Sequence, residues 1–240
     1  MGVPREERYE GIELLRIVSM LMIIAIHILG KGGLFDSAKF GSIQNIVLVL
    51  IKSFAVASVN CYVLISGYFM AGKQFKCTRI TRTVLQVLEY SVIIALICFL
   101  TKSAPITSKN ILFAICPIPM QDTYWFATQY ISLLLLSPIL NRLIGALTKD
   151  QHRIIIVIFL ILFCLVPTFT FIKKTFYSSG NDIVWFCTLY LIASYLNKYE
   201  ILSKKKNLVF LFAGGGYNLC LLLFGWVINK KYYRRCRRFC

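Results

Sequence analysis

Long apolar runs alternate with short polar connections along the whole chain. A helix needs roughly 20 mostly apolar residues to cross a bilayer, and seven stretches are candidates: 12–30, 47–71, 84–101, 124–144, 154–172, 183–197 and 207–228. The sixth is short and holds few of the strongest hydrophobes. No internal repeat, linker or low-complexity segment interrupts this order. The pattern therefore predicts an all-α fold, a polytopic bundle of transmembrane helices in one membrane domain.

The polar connections give that bundle a direction. Thirteen Lys and Arg fall in the amino terminus and the loops at 72–83, 142–153 and 197–206, against six in the loops at 29–45, 101–122 and 172–182. Cytoplasmic loops carry the excess of basic residues, so the amino terminus is expected in the cytoplasm. The tail "NKKYYRRCRRFC" (229–240) breaks the rule. It follows the seventh run and should lie outside, yet it holds six Lys and Arg.

Composition sharpens the class. Hydrophobic residues make up 58% of the 240 and charged residues only 15%, where a soluble domain carries about a quarter charged. The net charge of +17 would suit a nucleic-acid partner, but the basic residues sit in short clusters between apolar runs. Positive-inside topology accounts for that placement, so lipid and not nucleic acid is the expected surrounding. The nine cysteines are scattered, with no CxxC pair or Cys/His cluster, and predict neither a metal site nor a disulfide framework. No small-x-small cleavage site follows the first run, and Glu6 stands where myristoylation needs Ser or Thr. The first helix is therefore expected to stay as an anchor.

That helix contains "RIVSMLMIIAIH", Arg16 to His27, an apolar run with an ionisable group at each end. At 100° per residue His27 falls about 20° from Arg16, with Glu13 about 60° to one side and Ser19 about 60° to the other. Leu14, Val18, Leu21, Met22, Ala25 and Leu29 cover the opposite side. Ionisable groups at membrane depth are costly and functional by default, so this stripe is expected to face protein or a water-filled cavity. Eleven residues separate Arg16 from His27, a rise of roughly 16 Å. The two cannot touch. Arg16 is placed in the inner part of the membrane to guide an anion, and His27 near the outer surface.

"GIELLRIVSMLMIIAIH" resembles the opening helix of the acyltransferase 3 family, multi-pass enzymes that O-acylate carbohydrates. That helix reads acidic-x-x-Arg with His eleven residues after the Arg, and Glu13, Arg16 and His27 match it. "NCYVLISGYFM" (60–70) is similar to the family's Phe-Phe-x-x-Ser-Gly-Phe signature, departing in the aromatic pair and keeping the end as Ser66-Gly67-Tyr68. "TRITR" (78–82) supplies an Arg-x-x-Arg as Arg79 and Arg82, and "YWFATQYISLLLLSPILN" (124–141) looks like the family's Trp-Phe…Tyr…Pro-x-x-Asn helix.

The resemblance implies acyl transfer from a cytoplasmic acyl-CoA, with acetyl-CoA as donor substrate and no tightly bound cofactor, to a cell-surface polysaccharide or other exported glycan. Arg79 and Arg82 suit the donor's phosphates, since guanidinium favours bidentate contacts. His27 would act as general base on a sugar hydroxyl or carry the acyl group transiently, imidazole being the side chain that titrates near neutrality. Glu13 and Arg16 complete the catalytic set. Asn60, Ser66, Gly67, Trp125 and Tyr130 are expected to line the site, although Ser66-Gly67 also suits close helix packing and the aromatics an interfacial belt. Glu89 is a candidate partner for an arginine, Lys52 is expected to reach outward, and Asp122 and Asp182 at outer loop edges are candidates to contact acceptor sugars.

Two departures qualify the implied activity. The family has about ten spans of roughly 20 residues, and seven candidates are present. With the misplaced basic tail, this predicts a membrane domain over 1–228 that is incomplete at its carboxyl end, and a non-native segment over 229–240. An inactive remnant is then an alternative. A transporter component is another, but it would be expected to spread ionisable groups over several helices and to show pseudo-symmetry. A seven-helix receptor would place its amino terminus outside, against the charge count. The cell membrane is the expected location.

Overall fold

A computed structural model describes residues 10–38, 41–103, 105–120, 124–166 and 182–200. The seventh apolar run, the basic tail, Asp122 and the end of the fifth run lie outside them. At membrane depth no water is available for backbone N–H and C=O groups, and a helix satisfies them within one segment. Among the described residues every regular element is helical.

Helix α1 spans Glu10–Lys31 and α2 Leu34–Ser37, with α2 packed on α1. Gly33 turns the chain between them at φ 70°, a left-handed conformation that glycine adopts without a Cβ clash. Next come α3 (Ile43–Met70), α4 (Cys77–Leu100), α5 (Ser108–Ile115) and α6 (Pro117–Met120). Helix α7 spans Trp125–Ala146. Helix α8 spans Lys149–Leu160 and continues as a π turn, Ile161–Leu165. Helix α9 spans Ile183–Lys198.

Four of these, at Ile12–Gly30, Ile43–Met70, Cys77–Leu100 and Trp125–Ala146, are long and apolar enough to cross a membrane. They coincide with the first four apolar runs of the sequence. α8 and α9 answer to the fifth and sixth. The chain is thus an all-α membrane protein.

It divides into two compact units, residues 1–68 with 199–240, and residues 69–198. In the first, α3 changes character along its length. Its start exposes Ile43, Ile46 and Val47, whereas from Ala55 to Met70 no described side chain is exposed. With its described side chains buried or half-buried, this half of the helix is enclosed by protein.

In the second unit α9 is the central element, packed on α7 and α8, while α4 packs on α5, α6 and α7. Phe186, Tyr190, Leu191, Thr188 and Ser194 of α9 are almost completely buried. α4 is its opposite. Only Ser91 is buried on it, and Leu85, Ile93, Ile94, Leu96 and Ile97 point outward, as lipid-facing side chains do.

Candidate active site

Of the three ionisable groups of the α1 stripe, Glu13, Arg16 and His27, the structure brings two together. Arg16 Nη1 donates to Glu13 Oε2 at 3.3 Å, an i,i+3 pair with both side chains about half exposed. Glu13 therefore acts on Arg16 and not on His27, which stands at the far end of the helix and is exposed. The buried face of α1 is turned from the ionisable stripe toward Ser19: Ile12, Ser19 and Leu29 are buried. Ser19 Oγ donates to the Leu15 carbonyl at 2.7 Å, so its hydroxyl enters the interior satisfied. Arg16 lies at the edge of this face, with His27 and Glu13 on the open side. Because an exposed pair of this kind contributes about 0.2–1 kcal/mol, Glu13→Gln should leave the thermal midpoint nearly unchanged. A large loss of folded protein in detergent would show that the pair bears on folding.

On α3, Gly67 is buried and Asn60 and Ser66 are partly so. Gly67 lies within the enclosed stretch of the helix, where the absence of a side chain suits close approach. Lys52, expected to reach outward, is instead only 7% exposed. The site residues Glu13, Arg16, His27, Asn60, Ser66 and Gly67 all belong to the first unit.

Arg79, Arg82, Trp125 and Tyr130 belong to the second. Arg79 and Arg82 lie in the first two turns of α4, preceded by Lys73 and Lys76, and all four are exposed. No acidic residue stands in the first turn. A helix start already carries partial positive charge from its free N–H groups, so this end of α4 is strongly cationic. At an interval of three residues the two guanidinium groups stand about 60° apart on the helix, one turn from each other.

At the other end of the unit, Phe126 joins the two predicted aromatics. It meets Trp125 edge-on at 6.0 Å, stacks on Tyr130 at 5.9 Å and touches Phe186 of α9 at 5.8 Å. Trp125 and Tyr130 remain partly exposed, so the cluster both ties α7 to α9 and presents aromatic surface. Asp182, expected near acceptor sugars, accepts from the Trp185 backbone N–H at 2.8 Å and starts α9. Glu89 is exposed on α4 and forms no ion pair among the described residues.

Sequence reasoning missed His152. A capping box between Thr148 and Gln151 starts α8 and turns His152 inward, fully buried against the edge of Tyr195 at 5.2 Å. Its Nε2 lies 3.1 Å from the Leu191 carbonyl oxygen. A carbonyl only accepts, so Nε2 carries the proton. Lys198 Nζ donates to the Ile144 and Leu147 carbonyls at the end of α7. Burial, with the Lys198 charge adding, lowers the His152 pKa below its ordinary 6.5, against the opposing Leu191 hydrogen bond. The folded state thus prefers the neutral ring. Its contribution to stability is complete above the unfolded-state pKa of about 6.5 and is lost as pH falls through the lower folded value. Thermal unfolding in detergent should show the midpoint dropping between neutral pH and pH ~5. His152→Gln, which keeps an N–H for Leu191, should flatten that dependence. An equal drop in both would assign the acid sensitivity elsewhere.

These features define a helical integral membrane protein that carries ionisable groups within or beside its spans. The sequence model of the acyltransferase 3 family, described as an acyltransferase domain, matches residues 9–238. The chain belongs to that family, and the resemblance carried by Glu13, Arg16 and His27 holds over nearly its full length. No curated protein and no solved structure matches it.

Proposed function

We propose that this membrane acyltransferase moves an acyl group, acetyl in the first instance, from cytoplasmic acyl-CoA to a hydroxyl of an exported polysaccharide or other surface glycan. The observation that carries the reading is the family match over residues 9–238, which includes the Glu13/Arg16/His27 helix and Arg79/Arg82. The cationic start of α4 suits a polyanionic donor, and the excess of basic residues in its loop supports a cytoplasmic position there. The partly exposed Trp125 and Tyr130 suit the apolar faces of sugar rings.

As general base, His27 takes the proton of the acceptor hydroxyl as its oxygen attacks the thioester carbonyl; the carbon–sulfur bond breaks, an ester forms, and the CoA thiolate leaves to be protonated by the imidazolium. As acyl carrier, the His27 ring nitrogen attacks the thioester first, CoA leaves as the thiol with the ring proton, and the acceptor hydroxyl then displaces the ring from the acyl group and returns its proton to it. Arg16, held by Glu13, supplies positive charge for an anionic group along the helix. No tightly bound cofactor is needed.

Membranes containing the chain, supplied with labelled acetyl-CoA and a panel of glycan acceptors, are expected to transfer label to one acceptor class. Label transfer unchanged in both His27→Ala and Arg16→Ala would sink the site assignment. A substrate-flux signal without covalent labelling of any acceptor would favour a transporter. Absence of transfer with every acceptor, restored by a longer carboxyl terminus, would mark the chain as a truncated remnant.

A further inference from the structure

Pro138 sits inside α7 and cannot donate to the Leu134 carbonyl one turn earlier. The Ser137 hydroxyl takes that carbonyl at 2.7 Å, so the helix continues with its backbone satisfied. One turn later comes Asn141, whose side chain leaves α7 altogether. Its Nδ2 donates to the Met70 carbonyl at 3.3 Å and the Lys73 carbonyl at 3.2 Å. Its Oδ1 accepts from the Gly72 N–H at 3.3 Å and the Tyr190 hydroxyl at 2.8 Å. An amide has two donor hydrogens and two acceptor lone pairs, and here all four are used.

Three of these partners lie in the turn that ends α3 and lead within a few residues to Arg79. Gly72 holds that turn at φ 71°, where other side chains are strained. The fourth, Tyr190, is completely buried in α9.

We propose that Asn141, backed by Tyr190, is a positioning residue for donor capture: it fixes the 70–76 connection and so aims the Arg79/Arg82 start of α4 at acyl-CoA. The inference rests on the reading of those arginines as phosphate contacts. Asn141 itself touches no substrate. Aspartate has the same size but offers no N–H to the two carbonyls, and leucine offers neither donor nor acceptor.

The test uses the full chain in detergent, coenzyme A as the probe, and the variants Asn141→Asp, Tyr190→Phe and Arg79→Ala. Three quantities are measured: the CoA dissociation constant, the thermal midpoint, and the rate of tryptic cleavage at Lys73 and Lys76. Loss of one or two hydrogen bonds predicts CoA binding weakened about tenfold in Asn141→Asp and less in Tyr190→Phe. Cleavage in the connection should accelerate in both. Tyr190→Phe deletes one hydroxyl and keeps the ring, so it serves where Asn141→Asp fails to fold. Weakened CoA binding in Arg79→Ala but not in Asn141→Asp or Tyr190→Phe would overturn the inference and leave the donor reading intact. CoA binding unchanged in Arg79→Ala would overturn the donor reading, and the positioning role with it. Equal loss of thermal midpoint and binding, without selective cleavage at 73–76, would reduce Asn141 to a stability role and overturn the proposal as well.

Discussion

Replacing His27 with alanine is expected to lower acyl transfer by about 10²–10⁴-fold, the range over which a positioned acid–base group accelerates reactions. The amount of folded protein in the membrane should not change. His27 is exposed at the end of α1, so its truncation opens no cavity and strands no buried partner. Trapping the wild-type reaction separates the two chemical roles of an imidazole. A base leaves the enzyme unlabelled when the reaction is stopped with labelled donor present. A carrier leaves the acyl group on the His27 ring, where mass spectrometry of the α1 peptide would find it. Transfer that continues undiminished in the alanine variant would remove His27 from the reaction in either role.

Arg79→Ala and Arg82→Ala are each expected to raise KM for acyl-CoA by about 10- to 100-fold with kcat little altered, as for loss of a hydrogen bond to a charged group. Lysine at either position should recover only part of the loss, because an ammonium cannot make the bidentate contact of a guanidinium. Both side chains are exposed, so the defect should shrink at high salt, where surface charges are screened. An unchanged KM in both variants would leave the pair as topology determinants. A kcat loss at constant KM would place them in the chemistry instead of in donor capture.

The helices themselves were legible from hydropathy, because a bilayer permits little else. Runs 12–30 and 124–144 correspond within a few residues to spans Ile12–Gly30 and Trp125–Ala146. The Glu13–Arg16 pair was equally legible, since i,i+3 residues on a helix meet whatever the rest of the fold does. Family membership was readable from the same local spacing, now supported over residues 9–238.

Other features depended on neighbours distant in sequence. The sixth run looked weak for a span because it holds Thr188, Ala193 and Ser194, yet α9 is the centre of its unit. Hydropathy measures preference for lipid, whereas a helix enclosed by other helices needs small side chains that let them approach. Likewise, Lys52 carried no local sign of burial, and nothing near His152 in sequence announced its bond to Leu191.

Asn141 shows the division most clearly. Its motif was visible, but its partners at Met70, Gly72 and Lys73 lie 68 to 71 residues away. The class, the helices and the ionisable stripe of α1 follow from the order of residues alone, because bilayer thickness and helical periodicity act within single segments. Which face of α1 is buried, which helix is central and what Asn141 holds emerge only when the segments pack together. Burial and hydrogen bonding between segments are properties of the packed chain, and no single segment encodes them.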